Sequence, residues 1–104
     1  MSPNLLASGK RVSATATHAT SAVATISGVA GTSIYLTDVS GSSDKSGALI
    51  LVKDGSTTIW QDIVNAGNYC MNFLTPLKIT AGADLTITVD GTSLCKSNAV
   101  GVQL

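Results

Sequence analysis

One histidine, six aspartates and two cysteines carry most of the reactive chemistry in this sequence. A serine-type hydrolase needs a base beside a nucleophile and an acid that orients the base. His18 sits in an alternating threonine and alanine run, Ser13-Ala-Thr-Ala-Thr-His-Ala-Thr, with no nucleophile elbow nearby, and reads as a strand surface residue. Asp38, Asp44, Asp54, Asp62, Asp84 and Asp90 nearly all fall in or beside turn signals. There a short carboxylate bonds local backbone N–H groups, so turn chemistry accounts for most of them without an acid–base pair. Asp38-Val-Ser-Gly-Ser-Ser-Asp44 has the outline of a calcium loop but lacks the alternating acidic ligands and the closing glutamate, so no metal is expected.

Cys70 and Cys95 are too far apart for a Cys-x-x-Cys redox or zinc motif, and two cysteines are too few for a disulfide framework. Free structural thiols, buried or half-buried, are expected, with an internal disulfide as the alternative. Lys96 is the one basic neighbour available to activate either thiol. Gly28-Val-Ala-Gly31 leads into a β-rich stretch and not a helix, so it reads as a turn and not a phosphate cradle. Trp60, Tyr35, Tyr69 and Phe73 are too scattered for a stacking platform and are expected in core or interface packing. No cofactor and no catalytic residue is expected, and the chain is read as non-enzymatic.

The elements that would have to position such groups follow from composition. A chain of 104 residues supports one compact domain. Its charged fraction is only 12%, and six basic residues balance six aspartates with no glutamate, so the surface must be neutral and polar. A balanced charge argues against nucleic acid or an anionic membrane as partner, because both select clustered cations. Serine, threonine, glycine and alanine dominate, which favours strands and turns over helices. The first residues lack a basic start followed by an apolar run, so the sequence as given reads as cytosolic in origin.

Period-two alternation then marks the strands. Residues 8–26 read as one or two extended strands near an edge, and 32–40 as a strand through Ile34 and Leu36 that ends in a surface loop over 41–47. Residues 48–52 are a continuous apolar run closed by the Asp54-Gly55 turn, with 57–63 as its hairpin partner around Trp60. Residues 69–74 follow and Pro76 is expected to break the line before a short segment at 77–80. In 84–90, Leu85, Ile87 and Val89 should point inward. Residues 99–104 alternate through Val100, Val102 and Leu104 and should pair inside a sheet. About eight short strands predict an all-β, two-sheet antiparallel β-sandwich of jelly-roll type over residues 12–104, preceded by an arm over 1–11.

If Ile50 and Val52 face the core, Leu49 and Leu51 face outward. Covering two leucines contributes roughly 3 to 6 kcal/mol per subunit, so Leu49, Leu51 and Trp60 are assigned to an oligomer interface, with a closed ring of three as the leading form. The competing reading covers this strand within the monomer by a loop.

The succession Lys10-Arg-Val-Ser-Ala-Thr-Ala-Thr, Val29-Ala-Gly-Thr-Ser-Ile-Tyr-Leu36, Gly47-Ala-Leu-Ile-Leu-Val-Lys53, Thr75-Pro-Leu77 and Thr80-Ala-Gly-Ala-Asp-Leu-Thr-Ile-Thr-Val89 resembles small bacteriophage virion proteins of the capsid cement or decoration kind. The likeness runs over nearly the whole chain and is one of order and spacing. It implies a jelly-roll homotrimer, made in the host cytoplasm, that sits on the capsid exterior and bridges the major capsid protein. By the same analogy the arm contacts the shell, through Pro3, Leu5, Leu6, Lys10 and Arg11. The two cysteines are not part of the family pattern. A second reading is a carbohydrate- or receptor-binding module of a virion, using loops 41–47 and 91–98.

Overall fold

The computed structural model describes residues 9–104, and every regular element among them is a strand. In chain order these are β1 (Lys10–His18), β2 (Ser21–Ile26), β3 (Ile34–Ser43), β4 (Leu49–Asp54), β5 (Thr57–Ile63), β6 (Gly67–Lys78), β7 (Leu85–Asp90) and β8 (Cys95–Gln103). They form two antiparallel four-stranded sheets, ordered β1-β8-β3-β6 and β2-β7-β4-β5.

The order follows from one long hairpin. β4 meets β5 across the Asp54-Gly55 turn, where Gly55 takes φ 60°, and outward from that turn β3 pairs β6, β2 pairs β7 and β1 pairs β8. Rolling this double ribbon adds the β3–β8 and β4–β7 ladders and gives a jelly roll.

The two inner faces fit by size. β7 sends in Leu85, Ile87 and Val89, all at 0% exposure, and β4 sends in Ile50 and Val52. Ile34, Leu36 and Val39 of β3 and the alanines Ala22 and Ala24 of β2 add to the core. Across the core from β7, β8 presents Cys95, Ser97, Ala99 and Gly101, so the large side chains of β7 meet small ones on β8. Val100 and Val102 therefore lie on the outer face of β8, half-buried. At Gly101 an added Cβ would meet the Tyr35 carbonyl oxygen at 2.6 Å, which leaves room for glycine only. Two buried hydroxyls of this sheet, Ser97 and Ser43, donate to carbonyls of the facing sheet, Ser97 to Ala22 at 3.1 Å and Ser43 to Asp90 at 2.6 Å.

Three expectations need correction. The sequence puts Lys10 and Arg11 in the arm, yet they open β1, paired with Gln103 and Val102, because the β1–β8 ladder extends that far. Residues 41–43 belong to β3 and not to the loop, because Gly41 and Ser43 pair with both β6 and β8. Pro76 does not end β6: it lies on an edge strand, inside a four-residue bulge (residues 73–76) opposite Thr37, where no ladder N–H is needed.

Candidate functional site

His18 ends β1 and caps the turn into β2: its Nδ1 accepts the backbone N–H of Thr20 and of Ser21, both at 3.1 Å. Each aspartate is likewise committed to a structural bond. Asp44 accepts the N–H groups of Thr92, Ser93 and Leu94 and the Ser93 hydroxyl, which shapes the β7–β8 loop. These donors, the hydroxyl foremost, hold its carboxyl well below the ordinary range. Asp90 pairs with Lys45 at 2.8 Å and accepts the Leu49 N–H, fastening the β3–β4 loop, and Lys45 is the main cause of its lowered pKa. Asp54 holds Thr80, and Asp84 holds the Gly28 N–H. The carboxylates are divided between the two ends of the sandwich and its faces, and among the described residues no group of three or more His, Cys, Asp or Glu could hold a metal ion. Cys70 is exposed and Cys95 buried, and both are free.

Among the described residues, five of the eight exposed large apolar side chains belong to β4, β5 and β6, while Val23 of β2, Val29 and Leu94 are exposed outside those strands. The β1 and β2 edges lie together, joined by their turn and in mutual contact, whereas β5 and β6 are free edges on the opposite margin. Every residue of β5 is exposed except Trp60. Trp60 turns inward and meets Phe73 edge-on at 5.3 Å and Tyr69 at 6.1 Å. The Tyr69 hydroxyl donates to Asp62 at 2.6 Å and so ties β6 to β5. That bond lowers the Asp62 pKa, while burial first, and then the carboxylate, push the Tyr69 phenol up to about 12.

Around this seam lie Leu49 (40% exposed), Ile59 (40%), Ile63 (56%), Met71 (37%) and Leu74 (98%). Leu49 and Leu51 do face outward while Ile50 and Val52 are fully buried, and Leu49 stands opposite Ile63. Leu51 is half-covered, so together the two leucines contribute about 1 to 2 kcal/mol on docking, less than the sequence implied. Trp60 occupies the inner parity beside Val52 and reaches the same margin only around the β5 edge. Ile59, Ile63, Met71 and Leu74 were not singled out from sequence. Ile63 was accessible to that reasoning, since a hairpin closed at Asp54-Gly55 sets it against Leu49. Leu74 was not, because its exposure comes from the bulge. Pro3, Leu5 and Leu6 lie outside the described residues.

No family model matches this chain, and no curated protein matches it. Among solved structures it is similar to a periplasmic inhibitor of g-type lysozyme from Aeromonas hydrophila (TM-score 0.47, 15% identity, 92% of this chain and 89% of that one). It is also similar to a Bacillus endospore appendage that forms disulfide-linked pili (0.44, 10%, 91% and 88%). A third match is an insecticidal delta-endotoxin from Bacillus thuringiensis (0.46, 14%, 88% of this chain but 19% of the toxin). What the chain has in common with them is a β-sandwich-like fold. None of the three is a phage decoration protein, and likeness at this level carries no argument about activity.

Proposed function

We propose that this chain is a non-enzymatic structural protein of a phage virion, a decoration or cement protein that self-associates as a trimer and binds the major capsid protein on the outside of the head. The observation that supports this reading best is the set of apolar side chains that β4, β5 and β6 leave in water, Leu49, Ile59, Ile63 and Leu74, on a domain with few charges and no net charge. Apolar side chains gathered on one margin mark a docking surface. The β5 edge adds unpaired backbone groups and has neither proline nor lysine to guard it. In this reading the margin joins subunits, and the trimer then clamps neighbouring capsid subunits through polar and apolar contacts that salt weakens little.

Light scattering of the purified chain should give the mass of a trimer, and a monomer at all concentrations overturns the self-association. Mixing the protein with undecorated heads should give co-sedimentation at both low and high salt. Absence of binding at either salt overturns the capsid role even if the trimer forms.

A further inference from the structure

The outer face of the β1-β8-β3-β6 sheet differs chemically from the seam. Two adjoining depressions, of about 160 and 360 Å3, run across β8, β3 and β6 and share Ser40, Cys70 and Asn98. Those three residues stand in one register row, and the next outward-facing pair along β3 and β6 is Asp38 and Asn72. The Asp38 carboxylate is held in place: Oδ1 accepts the Asn72 amide at 2.6 Å and Oδ2 the Thr37 hydroxyl at 2.9 Å. Each oxygen keeps acceptor capacity for an incoming hydroxyl, and the Asn72 side-chain carbonyl keeps its own.

The groove's chemistry narrows the ligand. It holds one carboxylate, Asp38, and one ammonium, Lys96, roughly 13 Å apart along the strands, so it has no net charge and no cation cluster for phosphates. The backbone of β8 and β3 is already paired on both sides, so an extended peptide lying in the groove finds no ladder to join there, and the one free edge, that of β6, points away from the groove in the plane of the sheet. The exposed lining of the groove is mainly apolar, with Met71 and Val100 in it. Set into it are the polar groups of Asp38, Asn72, Ser40 and Asn98, donors and acceptors that match a ligand whose hydroxyls do both and whose carbon faces are apolar. We propose that this groove binds a neutral oligosaccharide. Tyr69 is engaged with Trp60 at the seam and gives the groove no stacking face. A single site therefore binds in about the millimolar range, and several sites on one assembly gain by avidity. The groove meets the seam at Met71, but Asp38, Ser40 and Asn98 lie on the sheet opposite Leu49 and Leu51, so the sugar titration and the light-scattering mass can fail separately.

The full chain, labelled with 15N, should be titrated with maltotriose, cellotriose, chitotriose and galactobiose, with sialyllactose as the charged comparator. At least one neutral sugar should shift amides confined to residues 38–42, 68–72 and 96–100. Asp38→Ala and Asn98→Ala should each weaken that binding by about tenfold, with the rest of the spectrum unchanged. A bulky maleimide offers a check that needs no substitution: it reacts at exposed Cys70 and not at buried Cys95, and should abolish binding by filling the groove. No shift with any of the four neutral sugars, shifts elsewhere on the surface, binding indifferent to the Cys70 adduct, or preference for sialyllactose would each overturn the assignment.

Discussion

β7 and β5 are similar strands in composition and different ones in fate. Both pair with β4, and Leu-Thr-Ile-Thr-Val-Asp and Thr-Thr-Ile-Trp-Gln-Asp-Ile are comparably rich in β-formers. β7 lies between β2 and β4 with β8 across the core, and its three apolar residues are fully buried. β5 has a neighbour on one side only, and Ile59 and Ile63 remain in water. Side-chain parity comes from local alternation, whereas coverage comes from where a strand falls in the sheet, and that is decided by the roll of the whole chain.

Substitution should separate the two strands most clearly. Ile87→Ala removes a fully buried side chain opposite small residues of β8 and should cost about 2 to 5 kcal/mol in urea unfolding. Ile63→Ala should change the stability of the isolated subunit by no more than about 0.5 kcal/mol. Equal losses would show that β5 is as covered as β7. The next largest effect concerns assembly: Leu49→Lys with Ile63→Lys places two cations on the margin and should shift the light-scattering mass to that of a monomer, with the strand content unchanged. A variant that stays assembled would move the subunit contact away from β4 and β5.

The same contrast explains what the sequence made legible. Leu85, Ile87 and Val89, and the opposite parity of Leu49 and Ile50, could be read because alternation is a local property of the pleat. The two-sheet jelly roll followed from strand number and turn spacing. Two features were hidden because they depend on partners distant in the chain. β8 turns its small residues inward since β7 fills the space opposite, which reverses the weight that Val100 and Val102 seem to have in sequence. Pro76 reads as a terminator until β6 is known to be an edge. At the candidate surface, the outward leucines were legible, while the bulge that exposes Leu74 and the grouping of Asp38, Asn72 and Asn98 depend on cross-strand register.

Smaller effects come from the carboxylates that fasten loops. Asp44, Asp62 and Asp90 have folded-state pKa values below the ordinary 3.8. Their contribution is complete above that value and is lost as pH falls below it. The urea midpoint should therefore fall on acidification below about pH 4. Asp44→Ala, which frees the loop at residues 92–94, should lower the midpoint at neutral pH and flatten this acid dependence. An unchanged acid limb would remove Asp44 from it.

The smallest effect tests the seam from its polar side. The Tyr69 phenol is raised from 10.0 to about 12, so its contribution is complete below pH 10 and is lost as pH rises through 12. Tyr69→Phe keeps the ring against Trp60 and deletes only the bond to Asp62. The difference in urea midpoint between wild type and variant should then shrink at both extremes. At high pH it shrinks because the wild-type phenol ionises beside a carboxylate, and at low pH because Asp62 loses the charge that the hydroxyl stabilises. A difference constant from pH 3 to 11 would mean that the aromatic ring alone closes β5 against β6. β5 would then be held at its free margin by the same apolar packing as β7, only with fewer neighbours.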